Sequence, residues 1–154
     1  MVEIRRGTAD DLPGLVASST GLFAEDAGTR DDTMNIEWPA QHGAAAFANT
    51  MADPARVVFV ADAHGAVIGY LTGYVTEPSD IRPVRSATLL SMYVFPEHRS
   101  GGVGGRLVDA FKTWAAEQGA VRLTVTAYAA NTEAIRFYQR NGFGPKSLEL
   151  ELEF

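Results

Sequence analysis

Apolar and polar residues change period several times along this chain, and each change marks an element. Residues 2–6 alternate and predict a short strand. Thr8 then offers a helix cap, with Asp10 and Asp11 in the first turn and Pro13 close behind. Leu12, Leu15, Val16, Ser19 and Phe23 recur on one helical face, so the first helix is expected to reach about Phe23. Trp38 and Pro39 open a second helix running to about Met51. Residues 56–61 and 66–75 are β-rich arms around the turn Asp62-Ala63-His64-Gly65, which predicts a hairpin. Gly69 and Gly73 inside the second arm allow a bulge or a close backbone approach.

The centre of the pattern is the stretch from Leu89 to Trp114. An apolar strand over 89–95 stops at Pro96, which has no N–H to give to a ladder. A glycine-rich loop follows, and then a helix whose Val103, Leu107, Phe111 and Trp114 form one apolar stripe. Residues 120–127 alternate as a further strand. Asn131 opens a last helix that ends at Asn141-Gly142. The tail 147–154 alternates leucine and glutamate with strict period two, which predicts a strand with one buried and one acidic face. The order β-α-α-β-β-β-α-β-α-β predicts an α+β domain on a mixed, twisted, mostly antiparallel sheet flanked by helices. Residues 89–127 should supply a right-handed parallel strand–helix–strand unit.

At 154 residues the chain is expected to be one domain, 1–154, with a real core. The absence of cysteine excludes disulfides, thiolate metal sites and a cysteine nucleophile. His42 and His64 are far apart and supply no metal-ligand spacing, so no metal is expected. A net charge of -6 argues against nucleic acid as a partner. No run approaches a membrane span, and the first residues lack a signal-peptide apolar core, which points to a cytoplasmic protein without a membrane partner.

The glycine loop carries the chemistry. Strand, glycine loop and helix together aim unpaired N–H groups and a partial positive charge at an anion, and glycine lets that anion come close. A P-loop would need Gly-Lys-Ser/Thr, but Gly105 is followed by Arg106-Leu107. A dinucleotide fingerprint would need a glycine where Leu107 stands. What remains is Arg99-x-x-Gly102-x-Gly104 after Val94-Phe95-Pro96, followed later by Asn131-x-x-Ala134-x-x-Phe137-Tyr138-x-x-x-Gly142-Phe143. This ordered pair of motifs resembles the GCN5-related N-acetyltransferase (GNAT) superfamily.

The resemblance implies that two central parallel strands splay around acetyl-CoA. Arg99, Ser100, Gly101, Gly102, Val103, Gly104 and Gly105 would hold its pyrophosphate. Met92, Tyr93 and Val94 would offer backbone groups to the pantetheine arm, and a bulge near Val94 would free an amide to polarise the thioester carbonyl. Tyr138 would protonate the departing thiolate, a transfer from a group of pKa about 10 to one of about 8.5. Asn131 would bind the cofactor arm or cap its helix. Some members place a glutamate base where this chain has Thr88. A water relay to Glu25, Glu37 or Glu77 is the expected substitute.

Residues 25–37 hold five acids against Arg30. They are either a solvated loop or, with Trp38, an acidic wall for a cationic acceptor. The expected function is transfer of an acetyl group from acetyl-CoA to a primary amine, with a cationic small molecule as the expected acceptor, by direct attack in a ternary complex. The rival readings are an acyl-CoA sensor, a protein-lysine or N-terminal acetyltransferase, and a phosphate-binding domain of another fold. The molecule is expected to be a monomer or a homodimer.

Overall fold

Residues 57–61 bury without interruption, which happens when helices cover both faces of a sheet. The computed structural model describes residues 1–154. Its five strands are β1 (Val2–Arg6), β2 (Arg56–Ala63), β3 (Ala66–Thr76), β4 (Ser86–Val94) and β5 (Arg122–Val125), paired in that order. All neighbours are antiparallel except β4 and β5. The helices are α1 (Leu12–Asp26), α2 (Ala44–Ala52), α3 (Val103–Glu117) and α4 (Thr132–Arg140). The α+β class and the mixed sheet are those expected.

Alternation along β2 divides the core in two. Val57, Phe59 and Ala61 face a layer built with Leu71, Leu89 and the α3 stripe Val103, Leu107, Phe111 and Trp114. Val58 and Val60 face the other way, against Leu15, Phe47, Tyr70 and Tyr93. A short turn, Ala9–Asp11, precedes α1, and the Thr8 N–H donates to Asp11 Oδ2 at 2.8 Å. Arg5 binds the same carboxylate through two bonds of 2.8 and 2.9 Å and reaches Asp62 at 2.9 Å. This knot ties β1, the start of α1 and the β2 turn together. Helix α1 continues to Asp26, past the expected end at Phe23, and α2 is entered through a π-helical turn, Pro39–Gly43.

Two irregularities break the ladders. Ile68 has no partner on β2, because Ala61 faces Gly69 while Asp62 faces Val67. Leu90 has none on β3, because Thr72 faces Ser91 while Gly73 faces Leu89. The bulge expected near Val94 therefore lies at Leu90, and Val94 pairs regularly with Gly69. The parallel pairing of β4 with β5 runs from Ser86–Arg122 to Leu89–Val125 and goes no further. The two strands part where β4 bulges.

The expected last strand does not form. Every residue from 144 to 154 is exposed, with Leu148 at 75% and Leu150 at 84%. Period-two patterning supplies two faces, but a strand also needs a neighbour to pair its N–H and C=O groups. No element of the single chain lies alongside the tail to provide one.

Candidate active site

Beyond Leu89 and Val125 the splay opens a long cleft. It is bordered by the end of α1, β4, the start of α3, β5, α4 and the tail. Past Pro96 the chain turns through Ser100 at φ 73° and Gly102 at φ 80°, and Gly102 precedes α3. The first helical bond is Arg106 N–H to Gly102 O at 3.1 Å. None of the N–H groups from Ser100 to Gly105 donates to another group in the protein. Consecutive free amides at the positive end of a 15-residue helix are the chemistry that holds a pyrophosphate. Gly104 has a packing reason as well, since a Cβ there would lie 3.1 Å from the Phe137 ring of α4.

Arg99 is turned toward α1 instead of the amides. Its Nε donates to Val94 O at 2.7 Å, its Nη2 meets Glu25 Oε1 at 2.6 Å, and its guanidinium stacks over Tyr93 at 5.2 Å. Burial, and next the Glu25 carboxylate, push the Tyr93 phenol above its ordinary pKa.

On α4, Asn131 Oδ1 accepts the Ala134 N–H at 3.2 Å, so Asn131 caps the helix. Tyr138 sits edge-on between Phe137 and Phe143, with centroids 5.3 and 5.8 Å away. Its hydroxyl has no hydrogen-bond partner in the protein and lines the cleft. Burial, and then the neighbouring Tyr70 phenol, push its pKa up to about 12. Lys112 holds the far end of α4 by donating to Asn141 O at 2.5 Å.

The acidic side is partly neutralised. Asp26 pairs with Arg30 at 2.9 Å, and Glu77 pairs with Arg85 at 2.6 Å. Asp31 accepts the Thr33 N–H and the Tyr128 hydroxyl, both at 2.9 Å. Thr33 first, and then Tyr128, keep the Asp31 carboxyl below its ordinary pKa. Burial, and then Asp31, raise Tyr128 to about 12. Asp32 lines the cleft and makes neither a hydrogen bond nor an ion pair. Trp38 stacks on Phe23 at 5.6 Å, and Thr88 Oγ1 meets Thr124 Oγ1 at 3.1 Å.

The cleft thus gathers Met92, Tyr93, Val94, Arg99, Ser100, Gly102, Val103, Gly104, Gly105, Asn131, Tyr138, Glu25, Trp38 and Glu77. Gly101 and Glu37 do not line it. Sequence reasoning missed Tyr128 and Tyr70. Tyr128 follows a short strand with no motif around it, and Tyr70 reads as an ordinary β-rich core residue. No three His, Cys, Asp or Glu side chains cluster as a metal site. No helix is long and apolar enough to cross a membrane.

Parted parallel strands beside a helix start with free amides and an unpartnered phenol define a coenzyme A acyltransferase fold. The chain belongs to the acetyltransferase (GNAT) family, an acetyl-CoA-dependent class, whose sequence profile matches residues 25–143. The uncharacterized N-acetyltransferase YhfO of Bacillus subtilis is 34% identical over 87 residues, which are 56% of this chain and 58% of that protein. The uncharacterized N-acetyltransferase Rv2669 of Mycobacterium tuberculosis is 28% identical over 135 residues, 88% of this chain and 82% of the relative. Among solved structures, a transcriptional regulator from Bacillus halodurans C-125 superposes with a TM-score of 0.80 at 25% identity, covering 100% of both chains. The aminoglycoside N-acetyltransferase AAC(6')-Iy in complex with CoA gives 0.79 at 18% identity, covering 100% of this chain and 95% of that one. At that identity the likeness is one of fold.

Proposed function

We propose that this chain transfers the acetyl group of acetyl-CoA to a primary amine of a cationic small molecule, by direct attack in a ternary complex. The observation that carries the reading is the half-buried Tyr138 phenol, which lines the cleft and whose hydroxyl has no partner in the protein. A hydroxyl that faces the cleft without a protein partner is open to a group from outside. The free amides of Ser100 to Gly105 fit the pyrophosphate of the donor. The backbone of β4 beyond Leu89, unpaired on its β5 side, fits the pantetheine arm through Met92, Tyr93 and Val94. The bulge at Leu90 moves the carbonyl-polarising amide to the Leu90–Met92 stretch. Removing a comparable donor costs about 10²–10³ in rate.

In the reaction the amine nitrogen attacks the acetyl carbon, the carbon–sulfur bond breaks, and Tyr138 gives its proton to the sulfur. The proton lost by the amine leaves through water. Glu25 and Glu77 are engaged by Arg99 and Arg85, whereas Asp32 is free to meet the positive charge of the acceptor. An aminoglycoside acetyltransferase of the same fold, from an uncultured soil metagenomic sample, is solved in complex with sisomicin.

The test is incubation with acetyl-CoA and a pooled panel of polyamines, aminoglycosides, amino acids and peptides, read by mass spectrometry. An acetylated small cation that disappears in Tyr138→Phe is the expected result. Acetylated peptides alone would replace the acceptor class, and acetyl-CoA binding without any product would replace catalysis by sensing.

A further inference from the structure

Helix α1 ends on two carboxylates, Glu25 and Asp26, with no basic residue in its own last turn. Negative charge is unfavourable there, because the unpaired carbonyls of a helix end already form its negative pole. Both carboxylates are met from outside the helix. Arg30 takes Asp26 at 2.9 Å, and Arg99, 74 positions along the chain, takes Glu25 at 2.6 Å. Arg99 is held on that side by three contacts: the Glu25 pair, the bond from its Nε to Val94 O, and the Tyr93 ring under its guanidinium. Around the pair, α1 presents Asp26 with Arg30, and the end of β4 presents the Tyr93 phenol and Glu97. Strand β3 presents Tyr70 beside Asp26, and the π-helical turn brings His42 against Trp38. Arg30 is taken by Asp26, so Arg99 alone offsets Glu25.

Resting on the acetyl-transfer reading above, we propose that Arg99 is a positioning residue that acts through Glu25 and not on the donor: it cancels that carboxylate, so that the acceptor amine lies beside the thioester in its neutral form. Only the neutral amine has the lone pair that attacks the acetyl carbon, so one proton must leave first. Strand β4 carries no carboxylate or histidine to take it. A bare Glu25 beside the amine would favour the ammonium ion, raise its pKa and shrink the reactive fraction. With Arg99 in place that charge is balanced, and Glu77 is balanced likewise by Arg85. Asp32, exposed on the loop beyond α1, is left to meet a second positive charge of the acceptor. The site thereby selects an acceptor whose cationic group is set apart from the amine that reacts.

The experiment compares the parent chain with Arg99→Gln, Arg99→Lys and the double variant Arg99→Gln/Glu25→Gln. Glutamine keeps a donor for Val94 O and removes the charge, whereas lysine keeps the charge. The Arg99 and Glu25 side chains are 40% and 33% exposed, so the variants keep the fold, which thermal unfolding checks. Acetyl-CoA affinity is read by calorimetry without acceptor. The rate constant kcat is followed against pH at saturating acceptor, with the amine found in the panel, where it reports the bound amine. In Arg99→Gln the acid limb should move up by roughly half to one pH unit, the effect of one uncompensated, partly exposed charge. The acetyl-CoA Kd should stay within about threefold of the parent's. Adding Glu25→Gln should return the limb to the parent's position, and Arg99→Lys should not move it. Packing damage would lower kcat without this pattern of shift and rescue. A loss of about tenfold or more in acetyl-CoA affinity in Arg99→Gln would put Arg99 on the pyrophosphate and overturn the proposal. So would an acid limb that stays put, or one that the second substitution leaves displaced. A parent that binds acetyl-CoA and acetylates no amine sinks the acetyl-transfer reading itself, an outcome distinct from these because they are read on variants of an active parent.

Discussion

Replacing Tyr138 by phenylalanine separates chemistry from packing. The hydroxyl bonds to no protein group, so nothing of the ~0.5–1.5 kcal/mol that a hydrogen bond typically contributes is lost. The ring keeps its edge-on contacts with Phe137 and Phe143, each worth about 0.5–1.5 kcal/mol beyond area burial. Stability should stay within about 0.5 kcal/mol, which for a domain of this size moves Tm by no more than ~2 °C. Acetyl-CoA affinity should be unchanged. The rate should fall by about 10² or more, equivalent to roughly 3 kcal/mol of barrier, since a positioned general acid contributes ~10²–10⁴.

The pH profile adds a second signature. With its pKa raised to about 12, the phenol remains the proton donor through pH 10. An ordinary tyrosine of pKa about 10 would be half ionised there. In the parent, kcat should therefore hold to pH 10 and fall only as pH rises toward about 12. The assay follows release of free thiol with the acceptor found in the amine panel, alongside acetyl-CoA binding and thermal unfolding. A variant that keeps more than about a third of kcat, or loses more than ~5 °C in Tm, would refute the assignment of Tyr138 as an acid packed independently of its hydroxyl.

Other substitutions test the frame. A Cβ at Gly21 would lie 2.7 Å from the Tyr93 hydroxyl, and Tyr93 is pinned by Phe95 and Arg99. Gly21→Ala should thus lower stability by ~1–3 kcal/mol despite better helix propensity, as read by denaturant unfolding. Gly102→Ala meets no atom within 4 Å, so its cost at φ 80° is conformational, about 1–2 kcal/mol, and the realigned amides should weaken acetyl-CoA binding in calorimetry. Asp11 is held below its ordinary pKa first by Arg5. Its contribution is present above the unfolded value of about 3.9 and disappears as pH falls through the lower folded value. Asp11→Asn should accordingly be destabilised at pH 7 and show a shallower loss of stability on acidification than the parent.

The legible parts of the chain are those where a residue's local pattern equals its role. The α3 stripe was readable because Val103, Leu107, Phe111 and Trp114 all bury on one side. The glycine loop was readable because Gly102 takes a left-handed conformation that its residue type announces. The bulge at Leu90 was not, because β-pairing register depends on β3 and is carried by no residue of β4 alone. The Asp31–Tyr128 bond joins residues 97 positions apart, and neither stands in a motif. The tail misled for a related reason: alternation states what a strand would bury, while the neighbour that makes it a strand lies outside the segment.

These long-range features also explain why the site sits where it does. The β4 bulge follows directly on Leu89, the last residue paired with β5, so one irregularity both ends the parallel ladder and re-aims the strand. Beneath it, Gly73 lets Phe111 of α3 press against β3; a Cβ there would lie 3.0 Å from the ring Cζ and 2.7 Å from Thr88 O. Gly104 performs the same service one helical stripe away, admitting Phe137 of α4. Helix α3 is thereby held against the sheet at one glycine and against α4 at another. Its free amides and the Tyr138 hydroxyl consequently face one cleft on a rigid support. A glycine loop alone offers only free amides; the two close approaches are what set the Tyr138 phenol opposite them.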